Sequence, residues 1–247
     1  MAQLRSSGFA ERIVPRAGTG RNHWLAPTAI KVLVLGAMVG LLPARAAAQL
    51  GGMPVWNSPR AGTGLLVAGD VGRPRPDSAS VAGKGTTLAG RVALGLQAFT
   101  VSASVGRFEP DSGSSVTEYG GTAAYRLVGG SLIPVALNLQ GGAAAARYAG
   151  VTTTRFTGAL GLSIDVPLPG VSFEPWVAPG LRLNHVGASG ANPATSNTVF
   201  GVAGGVTIGF GLIGIHAALD YEKRPGGGHT STLGIGAHLD IRPSLGL

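Results

Sequence analysis

The stretch Phe99-Thr100-Val101-Ser102-Ala103-Ser104-Val105-Gly106 deals apolar residues to the odd positions and small polar ones to the even positions. A period of two is the mark of a strand with unlike faces, because successive side chains on a strand point to opposite sides. The preceding segment repeats it: Leu88, Val92, Leu94 and Leu96 share one face, and Ala89, Arg91 and Gly95 the other. Further along, Phe156, Leu160, Leu162, Ile164 and Val166 oppose Arg155, Thr157, Ala159, Gly161, Ser163 and Asp165. The same alternation runs through Phe200-Val202-Val206-Ile208-Phe210, Ile213-Ile215-Ala217-Leu219-Tyr221 and Leu233-Ile235-Ala237-Leu239-Ile241. Beyond Ala48 no helical apolar stripe competes with it.

Carried over the chain, the alternation predicts ten strands: 62–72, 86–96, 98–108, 115–127, 132–147, 153–166, 171–185, 197–210, 212–222 and 230–241. The links at Gln97, Val128–Ser131, Pro167–Gly170 and Gly211 are tight. Those at Arg73–Gly85, Glu109–Ser114, Val186–Ser196 and Lys223–His229 are longer and polar, with a short one at Tyr148–Thr152. Short turns on one side and long loops on the other characterise membrane barrels, and strands of about 9–11 residues suffice to cross a bilayer. A soluble β-sandwich also alternates, but it exposes a charged face. Here the second face is Gly, Ala, Ser and Thr, which suits a narrow lumen where space sets composition. The expected fold is an all-β, antiparallel, transmembrane up-and-down β-barrel of ten strands, or eight if the first and seventh segments drop out. An even count places both ends of the barrel domain on the periplasmic side.

Composition agrees. The 247 residues include 42 Gly, 16 Pro and no Cys, with 12% charged residues and a mean hydropathy of +0.30. That is too apolar for a disordered chain, and without cysteine there is no disulfide frame or thiolate chemistry. No apolar run reaches the roughly 18 residues of a membrane helix. Residues 1–48 read as a secretory signal peptide: a basic start (Arg5, Arg12, Arg16, Arg21, Lys31), the apolar run Val32–Leu42, then Ala44-Arg45-Ala46-Ala47-Ala48, with cleavage expected after Ala48. The basic leader before Lys31 is long, so translation could begin further in. Six of the 19 basic residues and one of the 11 acids lie in that leader, so the net +8 falls to +3 once it is removed. The nucleic-acid reading that +8 invites falls with it. Residues 49–60, with Gly51-Gly52, Pro54 and Pro59, read as a flexible periplasmic lead-in, and 61–247 as the barrel domain. Strand 230–241 nearly reaches the end, so no periplasmic domain is expected after it.

The leader, the Phe99–Gly106 type of strand and the alternating turns together resemble a small outer-membrane β-barrel protein of Gram-negative-type bacteria, OmpA-like or porin-like without a periplasmic domain. The resemblance spans the mature chain and is one of pattern. It departs at the C-terminus, Arg242-Pro243-Ser244-Leu245-Gly246-Leu247, where such barrels usually end in an aromatic, and in the sparse aromatics, 6% in all. Trp176, Tyr119, Tyr125, Tyr148, Phe156 and Tyr221 would supply the interfacial girdles. The resemblance implies an outer-membrane location and, as partners, outer-membrane lipid and lipopolysaccharide.

The inward face collects Arg91, Glu118, Arg126, Arg155, Asp165, Glu174, Arg182, His216, Asp220, His238 and Asp240. Charges in a narrow lumen need partners, so Arg–carboxylate pairs that brace the barrel are expected. A charged constriction passing small solutes is the functional counterpart. His216 and Asp220, with His238 and Asp240 on the next strand, share a face, as would a catalytic base or a metal-binding set. Lumen histidines in hydrogen bonds are the simpler reading. None of the motifs of omptin-type outer-membrane proteases is visible, no catalytic or metal residue is assigned, and no cofactor is expected. An enzyme acting on lipid or peptide is the alternative role. Pro175 and Pro179, four apart in one strand, remove two donors from one seam; the sharper reading is a lateral opening for a lipid or apolar ligand. The glycine pairs Gly120-Gly121, Gly141-Gly142 and Gly204-Gly205 lie inside strands and are not phosphate loops.

Overall fold

The computed structural model describes residues 50–54, 63–77, 84–130, 133–224 and 227–241. The expected leader (1–48) and the C-terminal residues 242–247 lie outside them. Eleven strands follow in order: β1 (Gly64–Pro76), β2 (Gly85–Leu96), β3 (Phe99–Pro110), β4 (Val116–Gly130), β5 (Ile133–Tyr148), β6 (Val151–Ile164), β7 (Val166–Leu168), β8 (Val171–Val186), β9 (Thr195–Phe210), β10 (Ile213–Lys223) and β11 (His229–Ile241). Neighbours in sequence pair antiparallel, β1 pairs with β11, and β6 with β8, so the sheet closes. The short β7 is the continuation of β6. Ser163 faces Trp176, Val166 faces Phe173 and Leu168 faces Val171, all in one register with a break at Asp165. The barrel therefore has ten staves, and the eight-stranded alternative is set aside.

Alternation places the faces as the composition requires. Leu88, Val92, Leu94 and Leu96 on β2, Leu160 and Leu162 on β6, and Leu233, Ile235 and Leu239 on β11 all point outward and are exposed. The opposite rows are Gly, Ala, Ser, Thr and charged residues packed into the interior. An apolar wall around a polar filling inverts a soluble protein and matches a barrel whose solvent is lipid.

One end carries the tight turns, among them Gln97-Ala98, Pro169-Gly170 and Gly211-Leu212, with the start of β1 and the end of β11. The other, the loop end, carries Asp77, Lys84, residues 111–115 and 187–194, and Arg224, Gly227 and Gly228. It also holds the two-residue turn Ala149-Gly150. Both of those residues have positive φ (46° and 86°), the type I′ geometry whose twist suits a two-residue hairpin.

Two aromatics are not where girdle-forming residues belong. Trp176 is buried in the lumen with Ala178, Ala203 and Ala218. Tyr148 points inward, its hydroxyl on the Glu118 carboxylate and its ring edge-on to Phe108. Tyr119, Tyr125, Phe156 and Tyr221 do face outward.

Candidate functional site

The lumen is the only place where the described residues gather charge away from water, and it divides by height. In the half nearer the turns, Asp70 of β1 binds two neighbours. Its Oδ1 lies 2.6 Å from His216 Nε2 and its Oδ2 accepts from Arg91 Nε at 3.4 Å. His216 Nδ1 lies 3.1 Å from His238 Nδ1, with the rings stacked at 5.3 Å. The chemistry sets the tautomer. A carboxylate only accepts, so His216 donates from Nε2, and a neutral His216 then accepts at Nδ1 from His238. Glycine makes the room: a Cβ at Gly236 would collide with both the Asp70 carboxylate and the His216 ring.

At the loop end a second network spans β6, β8 and β10. Arg155 pairs with Glu222, and Arg182 pairs with Asp220. Arg182 Nε also lies 3.9 Å from Glu222 Oε2, and Asn184 Nδ2 donates to Glu222 Oε1 at 3.3 Å. The Arg182 and Asp220 side chains are 3% and 4% exposed. The two pairs reach past β9, which leaves space for them with Gly201; a Cβ there would enter the Arg182 guanidinium.

The third group faces the second across the same end. Leu50, Met53 and Pro54 are buried, and the segment rests on the inner wall of β1–β5. Thr87 Oγ1 donates to the Gly51 carbonyl at 2.8 Å, and the Gly51 backbone hydrogen-bonds Glu118, itself held by Tyr148. The flexible lead-in expected over 49–60 is thus corrected for these five residues, which are packed; residues 55–60 lie outside the described set. The physical reason is that Gly51 and Gly52, which read as loop composition, let the backbone approach Glu118 and Thr87 where a Cβ would not fit.

All eleven residues assigned to the inward face are buried or half-buried. Arg91, His216 and His238 come together, as do Arg155, Arg182 and Asp220. His216 and Asp220, which share that face, take different partners. Asp220 turns to Arg182, and His216 takes Asp70. Arg126 and Glu174 stand opposite Asn138 and Thr207, and Asp165 and Asp240 sit by strand ends, with backbone amides on Pro134 and Leu212. Asp70 and Glu222 were missed, although alternation carries them: Asp70 shares a face with Ala68 and Gly72, and Glu222 with Ala218 and Asp220. Among the described residues no three His, Cys, Asp or Glu side chains are placed to hold a metal ion.

The prolines of β8 keep their register with β9, Pro175 to Val206 and Pro179 to Val202. Toward β6 the ladder skips. It runs from Thr153–Val186 to Ala159–Gly180, resumes at Leu162–Val177 and breaks again after Ser163–Trp176. The gaps fall opposite Pro179 and Pro175, so both missing donors face β6.

No protein-family model matches the chain, and no curated protein matches it. Solved structures similar in shape include the β domain of the Bordetella autotransporter BrkA (12% identity, covering 72% of this chain and 99% of that one, TM-score 0.49). Others are the translocator domain of autotransporter NalP from Neisseria meningitidis (14%, 88% and 97%, 0.40) and the outer-membrane protease OmpT from Escherichia coli (6%, 72% and 97%, 0.37). The roles in those names belong to those proteins. The chain is all-β and antiparallel, a closed barrel of ten staves.

Proposed function

We propose that this is a non-enzymatic barrel of the outer membrane whose lumen is closed, a structural membrane protein rather than an open porin. The observation that carries the reading is the filling of the loop end, with Arg155, Arg182, Asp220 and Glu222 on one side and Leu50–Pro54 on the other. In planar bilayers the full-length chain is expected to give no discrete openings, and sustained single-channel steps would overturn the reading. Hydrolysis of a peptide or lipid panel that disappears in His216→Ala would overturn its non-enzymatic part.

The membrane partner follows from charge. At the loop end Arg73, Arg75, Arg107, Arg147 and Lys223 all face outward and are exposed, with Glu109 the exposed acid beside Arg107. A belt of cations at headgroup height suits a leaflet of phosphorylated anionic lipid, at about 1 kcal/mol for each cation near the surface. Changing Arg73, Arg75 and Arg107 to Gln is expected to weaken retention of lipopolysaccharide and flatten its salt dependence. Unchanged retention would contradict the assignment.

A second reading is favoured by the skipped ladder between β6 and β8, namely lateral entry of an apolar ligand. Asn138 and Ser163 lie on the inner side of that seam, with buried polar atoms that no protein group satisfies. Amides of 159–165 are expected to exchange with solvent faster than those of β2 and β3. Equal protection would remove this reading.

A further inference from the structure

Leu50–Pro54 is seated like a ligand. Its amide and carbonyl groups meet Glu118 and Thr87, and Leu50 reaches to within 2.7 Å of where a Cβ on Gly106 would stand. The Met53 sulfur and the Gly52 carbonyl fill the notch left by Gly72. The wall is shaped for this peptide: a Cβ at Gly72 would collide with the Gly52 carbonyl, and one at Gly106 with the end of the Leu50 side chain, which Leu50→Cys would remove. The polar groups of the seat are deeply buried, Glu118 at 1% exposure and Thr87 at 0%. Beneath the seat the wall is small and polar. Ser102 and Thr122 share a hydrogen bond of 2.6 Å, with Ser104 and Gly120 beside them. The seat is also at the unexpected end, since Gly64, where β1 begins, lies at the turn end and Leu50 at the loop end.

We propose that Leu50–Pro54 is a built-in peptide plug, that its seat is a peptide-binding site within the lumen, and that emptying the seat opens the β1–β5 side to small ions. The proposal rests on the closed-lumen reading for its conductance arm only. A peptide held through backbone hydrogen bonds to Thr87 and Glu118 and the buried side chains of Leu50, Met53 and Pro54 is releasable without unfolding the staves, whereas the ion pairs opposite are fixed in the strands.

The chain has no cysteine, so Leu50→Cys with Gly106→Cys introduces one defined pair into the full-length protein. Oxidation of the folded barrel is expected to join them, read as a mass change and a mobility shift that reductant reverses. A folded barrel that does not cross-link overturns the seat. In planar bilayers a mature chain beginning at Thr63, checked for folding by heat-modifiable migration, is expected to give discrete openings that free Leu-Gly-Gly-Met-Pro peptide blocks. A folded but silent truncated barrel overturns the plug while leaving the closed-lumen reading intact. Openings in the full-length chain with the disulfide closed contradict the closed-lumen reading, and the blocking role with it.

Discussion

Replacing Arg182 by Ala is expected to lower the unfolding free energy of the barrel by about 3–5 kcal/mol, measured by urea titration in lipid vesicles. The size comes from what remains. Asp220 is buried and its charge was chosen to face a guanidinium. Without Arg182 that carboxylate loses the guanidinium it faces while staying out of bulk water, and removing one member of a buried pair costs more than the pair contributed. The double variant Arg182→Met/Asp220→Leu is therefore expected to recover most of the loss, because well-packed apolar replacements for a buried pair are often neutral. Arg155 and Glu222 keep each other in that variant. A single variant as stable as the parent would mean that water reaches Asp220 and that the loop end is not closed.

The second large effect belongs to Asp70. Asp70→Ala removes the acceptor that Arg91 and His216 share, taking a buried carboxylate away from a guanidinium and an imidazole at once. The expected loss is again about 3–5 kcal/mol. Asp70→Asn should fall between parent and Ala, since an amide oxygen can still accept from His216 but offers Arg91 no charge. Equal stability of the Asn and parent proteins would show that the Arg91 pair contributes nothing here.

The staves were legible because period two is a local property. Each strand needs only its own residues to declare its faces, and the lipid-facing rows of β2, β6 and β11 declare them strongly. The pairings inside were not legible, because alternation fixes the face but not which strands come to stand side by side. Asp70 and His216 are 146 residues apart in sequence and meet only because β1 closes on β11. His216 and Asp220 share a face without standing within hydrogen-bond reach. Residues four apart on a strand lie about 13 Å apart along it, at roughly 3.3 Å per residue. The inward position of Trp176 follows from the face it shares with Ala178 and Arg182, although its aromatic ring suggests the membrane interface. The packing of Leu50–Pro54 leaves no periodic trace at all. Its glycines have the composition of a loop, and their use, close approach to Glu118 and Thr87, depends on strands that come later in the chain.

A closed barrel with an apolar wall belongs in the outer membrane. The most direct measurement is the migration of the outer-membrane fraction on a gel with and without boiling. A band in that fraction that runs faster unheated than heated is the result expected of a lipid-embedded barrel. A soluble periplasmic product whose mobility is the same in both lanes would contradict it.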